Sequence, residues 1–174
     1  MTLTFVLDPV VDPPLREGIL ALWADVSNAG GAVGFVPPVT PDDIRPSLDS
    51  HLAGVADGNC RPVLGYDEDG AVAATAFLTH NAHRLQLHWL WAYTVMVHPR
   101  HQGKGYGRAL MAAAEAAARS VGNIDAIRLS CRGGHGLEHF YASCGYKEVG
   151  RVPGAIRVAP GDDRDDITML LPLH

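Results

Sequence analysis

The fold is decided by one stretch, TVMVHPRHQGKGYGR, which runs from Thr94 to Arg108. Its first four residues are apolar or β-branched and end a longer run over 86–97, which is typical of a buried strand. His98-Pro99 closes that strand, because proline cannot donate to a sheet ladder. Three glycines follow at alternate positions, 103, 105 and 107, before an alanine- and leucine-rich helical pattern begins. The stretch therefore predicts a strand, a glycine-rich turn and the start of a helix.

The glycine-rich turn has the features of an anion site. Glycines can take positive φ and bring successive N–H groups close together. The helix that follows points unpaired N–H groups and the positive end of its dipole at the same place. Arg100, His101, Lys104 and Arg108 add positive charge, with no carboxylate between them, in a chain of net charge −5. We therefore predict that this turn and the helix start bind an anion such as a pyrophosphate.

Two common phosphate-binding motifs do not fit this turn. The Gly-Lys-Ser/Thr ending of the Walker loop is absent. A dinucleotide fold requires its glycines after the first strand of an alternating β/α chain, and here several elements precede them. A nucleotide- or phosphate-binding module that uses the same turn stays open as an alternative.

The rest of the chain predicts a mixed sheet. Apolar periodicity and turn residues predict helices over 14–28, 40–57, 105–119 and 136–143, and strands over 2–7, 60–66, 71–79, 86–97, 125–130, 146–151 and 166–172. The helix between 86–97 and 125–130 implies one parallel crossover in an otherwise antiparallel sheet. The acidic residues at 162, 163, 165 and 166 are predicted to form a solvated turn. We expect one α/β (α+β) domain over 1–174, with six to seven strands, one parallel pair and about four flanking helices.

Composition narrows the class of protein. The 174 residues are 47% hydrophobic and 19% charged, which is typical of a globular chain. The net charge of −5 argues against nucleic-acid binding. Three separated cysteines favour reduced thiols over disulfides, and neither a signal peptide nor a membrane span is evident. We expect a cytoplasmic protein with no membrane or nucleic-acid partner, and a homodimer is left open.

Two motifs carry a resemblance to a known family. Val95-x-Val97-x-Pro99 followed by Gln102-x-x-Gly105-x-Gly107 resembles the acetyl-CoA motif of the GNAT superfamily of N-acetyltransferases. Downstream, the residues Phe140, Tyr141, Gly145 and Tyr146 match its Phe-Tyr-x-x-x-Gly-Tyr motif in the same order and spacing. The resemblance covers roughly residues 60–172. It implies the GNAT fold, with pantetheine running between two parted strands.

The resemblance also implies which residues bind the acyl donor. Backbone groups at Val95 and Val97 would pair with pantetheine and polarise the thioester carbonyl. The full set expected to bind acetyl-CoA is Val95, Met96, Val97, Gln102, Gly103, Lys104, Gly105, Tyr106, Gly107 and Arg108. No metal cofactor is expected, because His135 and His139 lack the glutamate of a His-Glu-x-x-His site.

The acceptor half is similar to one branch of the family, the tabtoxin-resistance-type acetyltransferases. The segments Gly30–Phe35 and Val152–Gly154 resemble that branch at its substrate-side loops. The chain departs from that branch in two places: Trp91 or Ala92 replaces a glutamate, and Ser130-Cys131 replaces Asp-Thr. It also has Gly134 where many GNAT proteins have an asparagine before the last helix. Because acidic residues are missing, a non-catalytic acyl-CoA sensor with the same fold is the alternative.

Direct attack of an amine on a thioester needs a proton acceptor and a proton donor. Tyr141 is the expected acid, since a phenol stays protonated at neutral pH. The base is left open among His80, His83, His88 and Glu138. Trp91, Tyr93, Ser130 and Cys131 are the expected acceptor-binding residues; Trp89, Trp91 and Tyr93 share one face of the strand and either line the acceptor site or fill the core. We expect transfer of an acetyl or short acyl group to a primary amine of a small molecule.

Overall fold

The computed structural model describes residues 2–174, which form one seven-stranded sheet flanked by four α-helices. The strands are β1 (Thr4–Leu7), β2 (Cys60–Tyr66), β3 (Val72–His80), β4 (Trp89–Val97), β5 (Ala126–Arg132), β6 (Lys147–Ala159) and β7 (Asp162–Pro172). The helices are α1 (Pro13–Asn28), α2 (Pro41–Ala56), α3 (Tyr106–Val121) and α4 (Leu137–Ser143). Short 3₁₀ helices at Arg84–Gln86 and Pro99–His101 lie before and after β4.

The sheet contains the one parallel pair that the sequence predicts. The strand order is β1-β2-β3-β4-β5-β7-β6. Each pair of neighbours is antiparallel except β4 and β5, which are joined through α3 and run parallel. A helix between two strands returns the chain to the same end of the sheet, so the second strand starts in the direction of the first. The predicted fold class, a mixed and mostly antiparallel sheet with four helices, is confirmed.

The sheet is covered on both faces, and alternate residues of its strands supply the two cores. On β2, Val63 belongs to the buried cluster that includes residues of α3 and α4, while its neighbour Leu64 belongs to the cluster that includes residues of α1 and α2. β3 repeats this arrangement with Leu78 and Phe77, both fully buried. Successive side chains of a strand point to opposite faces, so a strand covered on both sides becomes continuously apolar.

Capping interactions set where the first two helices begin and hold the loop between them. Thr40 and Asp43 form a capping box at the start of α2. The loop after α1 is tied back by the Trp23 indole N–H, which donates to the Val33 carbonyl at 2.8 Å. The Asn28 side chain also donates to the Val39 carbonyl and accepts from the Val39 N–H, each at 2.9 Å. These bonds give a glycine-rich loop a defined position over the sheet.

The strand predicted over 86–97 begins later, at Trp89. The His83 side chain accepts from the Leu85 N–H and caps a 3₁₀ turn at Arg84–Gln86. The Asn81 side-chain amide then donates to the Gln86 and Trp89 carbonyls, at 3.0 and 2.9 Å. Side chains that bond to nearby backbone groups in this way compete with a sheet ladder.

The prediction of an acidic turn at 162–166 is wrong. The chain turns at Pro160-Gly161, where Gly161 has φ 78°, and the aspartates lie within β7. Two of them pair with arginines on the neighbouring strand: Arg157 bonds Asp163 at 2.6 Å and Arg151 bonds Asp165 at 2.9 Å. Opposite charges across an antiparallel pair stabilise the hairpin, and β6 accordingly extends to Ala159 rather than ending near 151.

The two-sided core gives a stability prediction. Replacing Ile127, which is fully buried on β5, by alanine should lower the free energy of unfolding by about 2–5 kcal/mol, because a cavity is left between sheet and helices. Val149→Ala on exposed β6 removes apolar volume at a site that is 56% exposed and should change it by less than about 0.5 kcal/mol. Urea unfolding measures both, and equal effects would contradict the assigned core.

Candidate active site

The cleft opens where β4 and β5 part. The two strands pair only from Trp89–Ala126 to Trp91–Arg128, yet they continue to Val97 and Arg132. Beyond the paired segment lies a cavity of about 1400 Å³. Its walls come from α1, the 29–35 loop, α2, the free parts of β4 and β5, the glycine turn, and α4. A crevice between parallel strands whose backbone groups are unpaired is a common place for a ligand.

A bulge in β4 lies at the edge of this cleft. Phe77 on β3 pairs with Tyr93, and Thr75 pairs with Met96, so Thr94 and Val95 together face a single residue of β3. Thr94 has φ 52°, a left-handed conformation that β-branched residues rarely adopt. The Thr75 hydroxyl donates to the Thr94 carbonyl at 2.7 Å and holds the bulge in place. A bulge bends its strand and re-aims the neighbouring groups.

The glycine turn is built from two left-handed residues and one close contact. Gly103 and Gly105 have φ of 73° and 84°, as the sequence predicts. Gly107 instead lies within α3, and an added Cβ there would approach the Phe140 ring to 3.1 Å. Two of the three glycines therefore set the turn, while Gly107 lets the first turn of α3 lie against α4.

Side chains of the turn hold it in place through hydrogen bonds to the backbone, and the N-terminus of α3 begins beside the cleft. The Gln102 amide donates to the Val97 carbonyl at 2.9 Å, and the Lys104 ammonium donates to the Arg100 carbonyl at 3.0 Å. Gly105 is the N-cap of α3 and has no side chain with which to cap it. The first N–H groups of this 16-residue helix are thus available to an anion.

Most of the residues predicted to bind the acyl donor border the cleft. The lining members of that set are Val95, Met96, Val97, Gln102, Gly103, Gly105, Gly107 and Arg108. Lys104 and Tyr106 are not among the lining residues. His101, counted above with the positive charges of the turn, is buried, and its Nε2 lies 3.6 Å from an Asp67 carboxylate oxygen. It therefore packs the turn against the β2–β3 hairpin rather than facing the cleft.

Tyr141, the predicted acid, lies in the cleft wall on α4. It is only 7% exposed and packs edge-to-face against Phe140 and Tyr146, with ring centroids 5.1 and 5.8 Å away. Burial raises the pKa of the Tyr141 phenol well above its usual range, because the phenolate loses its hydration. The side chain is therefore a fully protonated donor at neutral pH.

The predicted acceptor-binding residues divide into two groups. Tyr93, Ser130 and Cys131 line the cleft, whereas Trp91 does not. Trp91 stacks on Tyr93 with centroids 5.6 Å apart, and its indole N–H donates to the Asn81 side chain. The Arg128 guanidinium lies 4.4 Å from the centroid of its ring. Trp91 thus supports Tyr93 from behind.

Cys131 is buried on β5 beside this end of the cleft. Burial and, next, the Glu138 carboxylate raise the pKa of its thiol to about 11. The thiolate is the nucleophilic form, and a thiol with this pKa is almost wholly protonated at neutral pH. Its burial and its protonated thiol therefore favour Cys131 as a packing residue of the cleft and not as an acyl carrier.

The sequence analysis missed His51, which lies on α2 and lines the cleft. Its ring stacks on Phe77 and Trp23, with centroids 4.6 and 5.9 Å apart, and its Nε2 lies 2.8 Å from the Thr94 hydroxyl. A signal for it exists in the sequence: His51 continues the apolar stripe of α2 set by Ile44 and Leu48, at helical spacing. This spacing places the polar ring of His51 on the face of α2 that is otherwise apolar, which makes it a candidate functional residue.

The other proposed bases lie elsewhere. His80, His83, His88 and Glu138 are not among the residues lining the cleft. Glu138 is half-buried with Arg151 at 4.0 Å, and His88 is exposed against the Trp89 ring.

Across residues 2–174, no three His, Cys, Asp or Glu side chains are grouped to hold a metal ion. The same residues include no helix that is both long and apolar enough to cross a membrane.

The family follows from a direct match. Residues 33–146, more than half of the chain, match the family model described as the acetyltransferase (GNAT) family. The chain therefore belongs to the GNAT acetyltransferase family. The predicted enzyme class, an N-acetyltransferase of the GNAT type, is confirmed, and the matched segment includes both sequence motifs, from Val95 to Tyr146.

Solved structures with the same fold cover nearly the whole chain. A protein thought to be a phosphinothricin N-acetyltransferase superposes with a TM-score of 0.80 at 18% identity, covering 98% of this chain and 99% of its own. yncA from Salmonella typhimurium, thought to be an acetyltransferase and solved with its cofactor acetyl-CoA, gives 0.76 at 18% identity over 100% and 95%. Spermidine N-acetyltransferase from Vibrio cholerae, in complex with CoA and spermine, gives 0.72 at 20% identity over 97% and 95%. At these identities the likeness establishes the fold.

The left-handed N-cap of α3 gives a prediction with a matched control. Gly105→Ala should lower the free energy of unfolding by about 1–2 kcal/mol, since a Cβ is strained at φ 84°. Gly18→Ala, in the middle of α1 with its nearest neighbouring atom at 3.6 Å, should raise it by about 0.5–1 kcal/mol. Denaturant unfolding distinguishes the two. A stabilising Gly105→Ala would mean that the turn does not require its left-handed conformation.

Proposed function

We propose that this protein transfers an acetyl group from acetyl-CoA to a primary amine of a small molecule, by direct attack while both substrates are bound. One observation carries the proposal: β4 and β5 part beside a glycine turn and a helix N-terminus, within one continuous cavity of about 1400 Å³. This volume exceeds the upper end of the range of about 300–1000 Å³ that is usual for ligand sites. It is consistent with two substrates bound together.

The donor end of the cavity fits a long thioester with a charged tail. Val95, Met96 and Val97 belong to the part of β4 that does not pair with β5, and on that side they supply backbone groups that can pair with an extended, amide-containing chain. Gly103, Gly105 and Arg108 line the cavity where α3 begins, which suits a pyrophosphate. The neighbour solved with acetyl-CoA has the same fold over nearly all of its length. We include Lys104 and Tyr106 in the donor site as members of the same turn.

The acceptor end is bounded by the 29–35 loop, α1, α2 and the free end of β5. Its lining is mainly aromatic and weakly polar, with Trp23, Phe35 and Tyr93 on one side and Ser130 and Cys131 on the other. Such a surface suits the apolar part of a small molecule and leaves its amine directed at the bulge in β4. We propose Tyr93, Ser130 and Cys131 as contacts of the acceptor, with Trp91 supporting Tyr93.

Proton transfer governs the reaction. An amine with a pKa of about 10.4 is mostly charged at pH 7, and neutralising it costs about 4–5 kcal/mol. Attack of the neutral amine on the thioester carbon places negative charge first on the carbonyl oxygen and then on the departing sulfur. We propose that backbone N–H groups at the β4 bulge stabilise the oxyanion.

We propose Tyr141 as the group that stabilises the departing thiolate. Because burial raises the pKa of its phenol, complete proton transfer to a thiolate whose conjugate acid has a pKa of about 8.5 is uphill. Tyr141 therefore acts first as a hydrogen-bond donor to the negative charge that develops on the sulfur. The phenol proton then passes to the thiolate, and this transfer is completed because the phenolate left on Tyr141 regains a proton. We further propose that the enzyme works in the cytoplasm on free amines.

Two tyrosine variants test this function. Tyr141→Phe should lower kcat by roughly 10²-fold or more while leaving acetyl-CoA binding unchanged, because it removes one donor to the transition state. Tyr146→Phe is the control: its buried hydroxyl has no hydrogen-bond partner among residues 2–174, so kcat should be unaffected. Thiol release from acetyl-CoA over a panel of primary amines measures both variants.

Ligand stabilisation of the wild-type protein, compared with its thiol release, distinguishes an enzyme from a sensor. Acetyl-CoA at about 100 times its dissociation constant should stabilise the wild-type protein by about 2.7 kcal/mol, and ADP should do so less. Stabilisation by acetyl-CoA without transfer to any amine would favour a non-catalytic sensor and contradict the proposal. Equal stabilisation by ADP would instead favour a module that recognises only the pyrophosphate.

A further inference from the structure

Two features of the cleft stand outside the donor and acceptor contacts described above. One is a histidine, His51, held by aromatic stacking at the acceptor end. The other is the threonine at the β4 bulge, Thr94, which lines the same cavity. A single contact joins them: the His51 Nε2 and the Thr94 Oγ1 are 2.8 Å apart.

The conformation of Thr94 points to a purpose for this contact. A β-branched residue at φ 52° is strained, and such strained residues concentrate at functional sites. Glycine would relieve that strain. It would also lack the hydroxyl that here lies within hydrogen-bond distance of His51, next to Val95 and its backbone groups.

The surroundings of His51 keep its ring in one orientation. Trp23 approaches from α1, Phe77 from β3 and Tyr93 from β4, with ring centroids 4.6–6.1 Å away. Of these three, Tyr93 is the one titratable side chain, and it is neutral near pH 7 because burial raises the pKa of its phenol. The imidazole is thus clamped among uncharged rings, with its Nε2 directed at a hydroxyl.

Resting on the function proposed above, we propose that His51 is the general base of the transfer and that the Thr94 hydroxyl relays the proton to it. The acceptor ammonium loses one N–H proton to Thr94 Oγ1 as the Thr94 O–H proton moves to His51 Nε2. The neutral amine then forms the C–N bond, and the C–S bond of the thioester breaks. The Tyr141 phenol protonates the departing thiolate and takes a proton back from water. The amide nitrogen loses its second proton to water and His51 releases its proton to water, so that one proton is released overall.

The titration of His51 agrees with this role. Burial lowers the pKa of its imidazole below the usual value of 6.5, because the charged form loses hydration. The base is therefore neutral across the range near pH 7, and in the tautomer that carries its proton on Nδ1 its Nε2 can accept the Thr94 proton. It becomes protonated, and inactive, only as the pH falls through this lowered value.

A different histidine does not satisfy these conditions. His135 also lines the cavity, but it is exposed in the turn between β5 and α4. His88 is exposed beside Trp89 and does not line the cavity. His51 combines a cavity-lining position with a hydrogen bond to the strand where pantetheine is proposed to lie.

The test compares His51→Gln with His88→Gln, using acetyl-CoA and the amine that the wild-type protein acetylates fastest. His51→Gln should lower kcat/KM near pH 7 by roughly 10²- to 10⁴-fold, the usual contribution of a general base. His88→Gln should leave it unchanged. Acetyl-CoA binding, followed by thermal shift, should be the same in all three proteins.

The pH profile identifies the role. Wild-type kcat/KM should fall on the acid side with an apparent pKa below 6.5 and level off above it. His51→Gln should lack that plateau and rise about tenfold per pH unit toward the pKa of the amine, since only the amine that is already neutral reacts. Thr94→Val should resemble His51→Gln, and Thr94→Ser should restore most of the rate, because it keeps the hydroxyl.

A spectroscopic titration gives a second readout that needs no turnover. In histidine-labelled protein, the ring signal lost in His51→Gln should titrate below pH 6.5 in the wild type and shift in Thr94→Val. An unchanged acid limb in His51→Gln, in a wild-type enzyme that acetylates amines, would overturn this inference alone. Absence of transfer by the wild-type protein to every amine would overturn the proposed function and the base assignment with it.

Discussion

The parallel pairing between β4 and β5 stops at Trp91 and Arg128, although both strands continue, and the remaining architecture depends on this early end. A strand edge inside a sheet exposes backbone N–H and C=O groups that need partners. Here a cavity lies where a partner strand would otherwise be, and an extended ligand chain bound in it can form the missing hydrogen bonds. The long antiparallel pairing of β2 with β3 and of β5 with β7 keeps the two halves of the sheet in position, so that the gap between them remains open.

The features around that gap share the tasks of a transfer reaction. The bulge at Thr94 and the glycine turn after Val97 lie at the two ends of one short segment of β4. α3 starts from that turn, while α4 carries Tyr141 to the cavity wall. The proposed base and the proposed acid thus come from different elements, one reached through β4 and the other carried on α4.

The sequence predicts the glycine turn and the start of α3 well because local chemistry determines them. Glycines with positive φ and a helix N-terminus act within about ten residues, so their spacing carries the information. The acceptor half depends on contacts between distant segments. His51 and Thr94 are 43 residues apart, and no short motif joins them. Trp91 and Tyr93 share one face of the strand as predicted, but the end of strand pairing, which single-sequence patterns do not reveal, decides that only Tyr93 lines the cavity. The acidic segment at 162–166 lies in a strand rather than in a turn for a related reason. Asp163 and Asp165 are stabilised there by arginines on the other strand, and a pattern of local residues does not reveal these contacts.

Amide NMR of the labelled protein, with acetyl-CoA added, tests the central claim most directly. The account predicts that the largest shifts fall on residues 94–97 and 102–108, and that they are joined by smaller ones on β5 from Leu129 to Arg132, where the strands part. ADP should reproduce only the shifts at 102–108, since it carries the pyrophosphate but not the pantetheine. Shifts that leave β4 unchanged, or that lie away from the gap between β4 and β5, would contradict the assignment of this cleft as the acyl-donor site.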